Sequence, residues 1–593
     1  MTDAQRRWYP LADSTSARRA VTQKTAKKAR KPELIDPLTG PKFALAGRVV
    51  TMDDALTVKT DSVLFIDQGV IVAVQDRAQP APAGFDHVPV VETGGTLFPG
   101  LIELHNHLSY NALPLWSPVP KRFQHRGQWP DHSDYRKLIS GPMSVIGKYR
   151  DAQGKPSLLA PLVRYVECKC LLGGVTTSQG IMLSSNAGVQ RFYRGIVRNV
   201  EQTEDPDLFE AQGRIPDIEA KDARAFLARL KKEKDRNRCF LLHLSEGLTP
   251  SDEDNSVARR HFLALQVAPN QWALNERFAA IHAAGLLPQD FDVLAQHGAA
   301  MVWSPLSNLL LYGATARVDA AKQAGVRIGL GSDWSPSGSK NLLGELKVAW
   351  LYSQHMLTGG FSARDVVAMA TRGAAAILKW QKALGTLEPG KRADVIVIER
   401  NGGDPYEALI QTKETSIRLV MINGVARYGI PELMSALGAN GQALRVGGET
   451  RQLFLEQVTA DPDVANVSLS KARSALRKAF HDLPKLAREL EKPKSQKARR
   501  AALDAPEPVV WSLALDEIQY TGVDQRPRLP LNGPRDFTGP RLVTTRAAAP
   551  LSTILQSIAL DPLTVADDPS FLTAIANQPN VPDPIRAGLA QLY

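Results

Sequence analysis

Pro99-Gly100-Leu101-Ile102-Glu103-Leu104-His105-Asn106-His107 closes a short apolar run that begins at Thr96, and it ends in two histidines spaced i, i+2. A run this short and apolar reads as a buried β-strand. Residues i and i+2 of a strand point to one face, so both imidazoles can meet a single metal ion. A lone His-x-His is also compatible with one histidine capping the strand and the other filling the core. The rest of the chain has to decide.

Downstream, strand-like and helix-like segments alternate. The strand-like stretches are Gly174–Gln179, Gly195–Glu201, Phe240–Ser245, Phe278–His282, Ala300–Ser304 and Arg327–Ser332. Helical patterns lie between several of them, at Ser157–Leu172, Asp222–Lys234, Ser256–Leu265, Arg317–Ala324 and Leu342–His355. Repeated β–α units over about 280 residues predict parallel strands joined by right-handed crossovers, hence a (β/α)₈ TIM-like barrel of the α/β class. Seven strands are counted with the His-x-His one, so one is missing from this reading.

The flanks of the barrel are β in character. Phe43–Met52, Ser62–Ile66 and Val70–Val74 precede it; Val395–Ile398 and Ile417–Ile422 follow, and the latter turns at Asn423-Gly424 into Val425–Tyr428, a strong hairpin signal. The simplest arrangement pairs both flanks into a small composite β-sandwich. The expected division is a basic flexible arm (1–42), the first part of the sandwich (43–95), the barrel (96–384), the second part of the sandwich (385–430) and a C-terminal accessory region (431–593). In the last, Ser470 is a candidate cap for a helix over Ser470–Leu483, followed by a Lys/Arg-rich run (Arg488–Arg500) and a Pro-rich section, Pro506–Pro550.

Composition excludes some classes. With 593 residues, 44% hydrophobic and 22% charged, the chain reads as a multidomain globular protein. It contains no run of 18 apolar residues that would span a membrane, and the N-terminus shows no apolar secretion signal. Three cysteines argue against a disulfide framework and for a reducing, cytoplasmic setting. Cys168 and Cys170 diverge on a helix and read as packing residues. The net charge of +11 is uneven: residues 1–42 hold ten Lys/Arg against four acids. Such runs can touch nucleic acid or anionic lipid, but most are solvated tails or helix faces, so a nucleic-acid partner is not expected.

Three further strand ends carry chemistry. Cys239-Phe240-Leu241-Leu242-His243-Leu244-Ser245-Glu246 ends in His-x-x-Glu, Ala279-Ala280-Ile281-His282 in a single histidine, and Gly329-Leu330-Gly331-Ser332-Asp333 in a glycine-punctuated approach to a carboxylate. Glycines in a strand let a neighbouring backbone come close. Each motif alone is an ordinary polar strand end. Four in series, at the C-terminal ends where barrel active sites are built, are not.

With these motifs, the Ser304-Pro305-Leu306-Ser307-Asn308 segment and Gly390-Lys391-Arg392-Ala393-Asp394-Val395, the chain from about Phe43 to Tyr428 resembles the amidohydrolase superfamily, in its mononuclear deaminase and triazine chlorohydrolase branch. The resemblance implies His105, His107, His243 and Asp333 as ligands of one divalent metal, Zn²⁺ before Fe²⁺ or Mn²⁺. It implies Glu246 as proton shuttle, His282 as the group that polarises the substrate, and Asp333 as holder of the attacking water. Binuclear members carry a carboxylated lysine on the strand before the His243 position; Gly195–Glu201 has none, so one metal is expected. The implied activity is hydrolysis of non-peptide C–N bonds by hydroxide from metal-bound water, with deamination of a heterocyclic ring amine favoured. Cyclic amide or imide hydrolysis and chlorohydrolase chemistry on the same site are the enzymatic alternatives. A non-catalytic barrel scaffold is the contrasting class; it would have no need of Glu246.

After His107 runs an irregular stretch with Tyr110, Trp116, Phe123, Trp129 and Tyr135, together with Lys121, Arg122, Arg126 and Arg136. It should overhang the barrel mouth, either stacking on a flat ring or packing its own rings onto the barrel. Trp116, Trp129, Trp303 and Asn308 are the candidate substrate-binding residues, with Ser307 beside them. Many barrel enzymes of this kind are homo-oligomers, and no feature here sets a symmetry.

Overall fold

The computed structural model describes residues 37–185, 190–214, 218–250, 255–357, 360–457, 461–492, 511–515 and 549–593. Most of the basic arm, most of the Lys/Arg-rich run and most of the Pro-rich section lie outside the described residues.

Eight short parallel strands surround the site: β1 Leu101–Ile102, β2 Val175–Ser178, β3 Arg198–Asn199, β4 Gln212–Arg214, β5 Phe240–Leu244, β6 Phe278–His282, β7 Ala300–Trp303 and β8 Arg327–Leu330. They pair as two arcs, β1-β2-β3 and β4-β5-β6-β7-β8. Single hydrogen bonds bridge the two seams. The Ala211 amide donates to Val200 O (2.7 Å), just past β3, and the Leu104 amide to Leu330 O (3.2 Å) at the end of β8. Beyond β1 and β8, Asn106 and Asp333 form one further parallel bridge. The arrangement is α/β and TIM-barrel-like. The strand missing from the sequence pattern is β4: three residues, Gln-Gly-Arg, are too few and too polar to show a period.

Alternation sorts the side chains. Ile102, Leu104, Leu241, Ala279, Ile281, Ala300 and Val302 form one buried cluster inside the strands. Their sequence neighbours Phe240, Leu242, Phe278, Ala280, Met301 and Trp303 join the large outer core under the helices. The β1–β8 seam needs glycine. A Cβ on Gly331 would lie 2.5 Å from His105 Cβ and 2.7 Å from its backbone N and O, so the glycines of the fourth motif let β8 close on the His-x-His strand.

The flanking strands form one continuous nine-stranded sheet, larger than the small sandwich expected. Its order is Gln442–Val446, Glu449–Leu453, Val425–Gly429, Ile417–Ile422, Val395–Glu399, Val90–Pro99, Phe43–Val50, Val58–Asp67, Val70–Asp76. The two halves meet where Val395–Glu399 runs antiparallel to Val90–Pro99, with Val397 opposite Leu97. The hairpin turns at Asn423 and Gly424, with φ of 48° and 72° as a type I′ turn requires. Two strands come from the stretch after residue 430. In that region the helix is Leu469–His481, and Ser468, not Ser470, caps it by accepting from the Lys471 amide.

Asp394 ties sheet to barrel. Its carboxylate holds the fully buried Arg198 of β3 and accepts from the Asn423 amide (2.9 Å), while its carbonyl accepts from the Gly100 amide (2.9 Å) at the start of β1. Removing one partner of such a pair leaves a buried charge and typically costs 3–5 kcal/mol. Asp394→Ala is therefore expected to lower unfolding free energy by about 3 kcal/mol or more, read from the denaturant midpoint. A loss near zero would show that Arg198 is satisfied without it.

Candidate metal centre and active site

His105 and His107 follow β1, His243 lies on β5, His282 ends β6 and Asp333 follows β8. The i, i+2 spacing places the first two rings with centroids 4.9 Å apart, and the His243 ring is 4.6 Å from that of His105. Ser245, His282 and Asp333 all have positive φ (52°, 68° and 63°). Non-glycine residues in this region cost about 1–3 kcal/mol each, and such strain clusters at functional sites. Here it bends three strand ends so that their side chains converge.

Three sets of side chains offer ligand atoms within 4.8 Å of one another: His105, His107 and His243; His105, His282 and Asp333; and His243, Glu246 and His282. His107 Nε2 and His243 Nε2 face each other at 3.3 Å. Two nitrogens, each about 2.0–2.1 Å from one tetrahedral ion, are about 3.3 Å apart. Asp333 Oδ1 lies 3.0 Å from His105 Nε2 and 3.3 Å from His107 Nε2. His105 Nδ1 faces the Gln179 side-chain oxygen at 3.0 Å, which fixes the proton on Nδ1 and leaves the buried Nε2 with a lone pair and no hydrogen-bond donor. Imidazole lone pairs and a carboxylate oxygen aimed at one buried space fit a divalent cation.

Electrostatics keep the set competent. Burial, reinforced by the neighbouring imidazoles, holds His243 well below the usual histidine range, so it is neutral. Burial alone would raise Asp333, but His105, His282 and His107 outweigh it and keep the carboxylate ionised. Its other oxygen accepts from Ser307 Oγ at 2.6 Å.

Glu246 and His282 stand together, with His282 Nε2 3.7 Å from Glu246 Oε2. Asn308 Nδ2 donates to His282 Nδ1 (3.1 Å) and Asn308 Oδ1 accepts from Thr315 (3.2 Å). The amide orientation thus places the imidazole proton on Nε2, facing Glu246. Burial brings the His282 pKa down to about 3, so the ring is a neutral donor. Burial pushes Glu246 up to about 7 against the pull of Arg126, whose guanidinium is 4.0 Å away, and of the Tyr312 hydroxyl, which donates to Oε1 at 2.7 Å.

The substrate-binding candidates divide. Trp303 is corrected: it faces the outer layer, where its indole donates to Thr315 Oγ1 and packs on Tyr352 and Phe361, because Ala300 and Val302 take the inward positions of β7. Asn308 orients His282. Trp116 is buried among Phe123, His132 and Tyr135, packing the loop itself. Trp129 backs the site by donating to Tyr312 Oη at 3.0 Å. Gln179, Tyr312 and Trp334, the last 5.7 Å from the His107 ring, were not among the candidates. Gln179 carried a signal, being a polar residue at the C-terminal end of a barrel strand; Tyr312 carried none.

Losing an outer partner of a ligating histidine typically weakens metal affinity about 10–100-fold. Gln179→Ala is expected to do so in a competitive chelator titration, and His243→Ala to abolish stoichiometric binding. Full metal content in purified His243→Ala would remove His243 from the centre.

The amidohydrolase family profile matches residues 228–427. The chain is 33% identical over 182 residues to a 5-methylthioadenosine/S-adenosylhomocysteine deaminase of Teredinibacter turnerae, covering 29% of this chain and 40% of that protein. It is 26% identical over 361 residues to a protein of the same name from Halalkalibacterium halodurans, covering 56% of this chain and 78% of that one. The fold is shared with triazine hydrolase from Arthobacter aurescens at 21% identity and a TM-score of 0.52, over 74% of this chain and 99% of that one. The profile match spans β5 to β8 with His243, Glu246, His282 and Asp333, so this part of the chain is similar to an amidohydrolase-family domain.

Proposed function

We propose that the protein is a metal-dependent hydrolase of non-peptide C–N bonds that deaminates a heterocyclic ring amine, with a purine amine as the first candidate. The observation that carries this reading is the convergence of His105, His107, His243 and Asp333 beside Glu246 and a His282 whose Nε2–H is aimed into the site. Relatives named as deaminases of an adenosine thioether support the choice of a purine. The two strand arcs are read as one (β/α)₈ barrel, and the setting as cytoplasmic with a small-molecule substrate. No described helix is long and apolar enough to cross a membrane.

His105, His107, His243 and Asp333 would hold one divalent ion, zinc in first place. Such an ion supplies a nucleophile at neutral pH, because it lowers the pKa of a coordinated water to about 7. The remaining work falls to the protein. Asp333, ionised and fixed by Ser307, orients the attacking water through its carboxylate. Glu246, with a pKa near neutrality, takes a proton from that water and returns it to the leaving nitrogen. His282 donates Nε2–H to the ring atom on which negative charge builds; one such donor is typically worth about 3 kcal/mol of barrier. A water-excluded site strengthens each of these interactions.

Ammonia release from purine nucleosides, pyrimidines and aminotriazines by the metal-loaded protein tests the proposal. Glu246→Gln should retain metal and lose about 10²–10⁴-fold in rate. Metal-loaded protein that releases ammonia from no ring amine, but opens a cyclic amide or frees chloride from a triazine, would overturn the deaminase reading. The Tyr312 hydrogen bond favours the charged carboxylate of Glu246. Tyr312→Phe should therefore raise that pKa and move the acid limb of kcat/KM to higher pH; a limb that stays or falls would show that Glu246 is not the base.

A further inference from the structure

The loop between β1 and the first long helix, residues 108–136, is held along two edges. On its inner edge, the Arg126 amide donates to Glu246 O (3.2 Å), the Leu248 amide to Gln124 O (2.8 Å), the Phe123 amide to Leu311 O (2.9 Å) and the Trp116 amide to Pro336 O (2.7 Å). Gly247 (φ 143°) makes this docking possible, since a Cβ there would lie 2.5 Å from Gln124 O and 2.7 Å from His125 Cα. These contacts set Arg126 against Glu246 and Trp129 against Tyr312.

On its outer edge the same loop is held by the C-terminal segment 549–593, more than 400 residues away. Gln578, fully buried, clips it twice: its oxygen accepts from the Val119 amide (3.0 Å) and its nitrogen donates to Trp116 O (3.1 Å). Asn580 Nδ2 donates to Lys121 O (3.3 Å) and to Leu310 O (2.8 Å), so one side chain joins the loop to helix Pro305–Tyr312. That helix carries Ser307, Asn308 and Tyr312. The Asp561 amide donates to Ala112 O (3.0 Å), and its buried carboxylate is shared by Lys169 and Lys340; Lys169 also donates to Ser335 Oγ (2.7 Å), two residues past Asp333.

We infer that the C-terminal segment is part of the active-site wall, and that Gln578 and Asn580 are positioning residues that determine substrate fit by fixing the 108–136 loop against Glu246 and Tyr312. Neither touches the reacting atoms. They act through the loop backbone groups that they hold, Trp116 O, the Val119 amide and Lys121 O, and through Arg126 and Trp129, which the loop delivers. The catalytic meaning of the clamp rests on the deaminase reading; the clamp itself does not.

Amide hydrogen exchange of the full metal-loaded chain tests it, comparing Gln578→Leu with the unaltered protein. Exchange within 113–132 should rise tenfold or more, with the barrel strands unchanged, and KM for a turned-over ring amine should rise about tenfold with metal content and kcat much less affected. Gln578→Glu, which keeps the acceptor for Val119, should recover part of both. If Gln578→Leu does not fold, Asn580→Ala gives the same readout from the other clip. Unchanged loop exchange, or exchange that rises equally through the barrel, would overturn the clamp. A loosened loop with unchanged KM would overturn its role in substrate fit. Should no ring amine be turned over, the exchange measurement still decides the clamp, so the two proposals fail separately.

Discussion

Asp333 is an ionised carboxylate in a space from which water is almost wholly excluded, set among the rings of His105, His107 and His282. A charge in that position is expensive unless opposite charge or hydrogen-bond donors answer it. Ser307 answers one oxygen; the other lies against His105 and His107. Lone pairs from these rings and from His243 converge on the same point, and a divalent cation there relieves both problems together. The rest of the architecture delivers these groups from four strand ends that no local force would bring together.

That delivery depends on backbone closeness before side-chain chemistry. Gly331 lets β8 approach β1 at His105, and Gly247 lets the 108–136 loop lie against the backbone just past Glu246. The strained φ values of Ser245, His282 and Asp333 persist because packing over-determines them. Asp394 then fastens the assembly to the nine-stranded sheet by holding Arg198 and the Gly100 amide, so β1 and β3 take their positions from outside the barrel.

A second tier of polar contacts assigns roles within the site. His282 and Glu246 are both buried beside charged neighbours, yet their protonation is pushed in opposite senses. Asn308 leaves the imidazole its Nε2 proton, and Tyr312 with Arg126 steadies the carboxylate near neutrality. One neutral donor and one proton acceptor 3.7 Å apart are what an acid–base step on a polar bond requires.

Much of this was written in local pattern. The i, i+2 histidines, the His-x-x-Glu, the single histidine and the Gly-Ser-Asp each follow a recognisable strand, and the side-chain period of a strand is local, so the residues that meet could be named from spacing. The Asn-Gly hairpin was legible because a type I′ turn needs φ > 0 at two adjacent residues. Other features had no local trace. Strand β4 is too short to show a period, and the register that turns Trp303 outward depends on which face of β7 packs inside. Gln179, Tyr312, Gln578 and Asn580 are polar residues of common type whose partners lie tens to hundreds of positions away. Sequence alone determined which side chains can carry the chemistry, because type and spacing decide what a strand end can offer. Only the tertiary structure decided which groups orient them, because a hydrogen bond between distant segments exists only once the fold has closed.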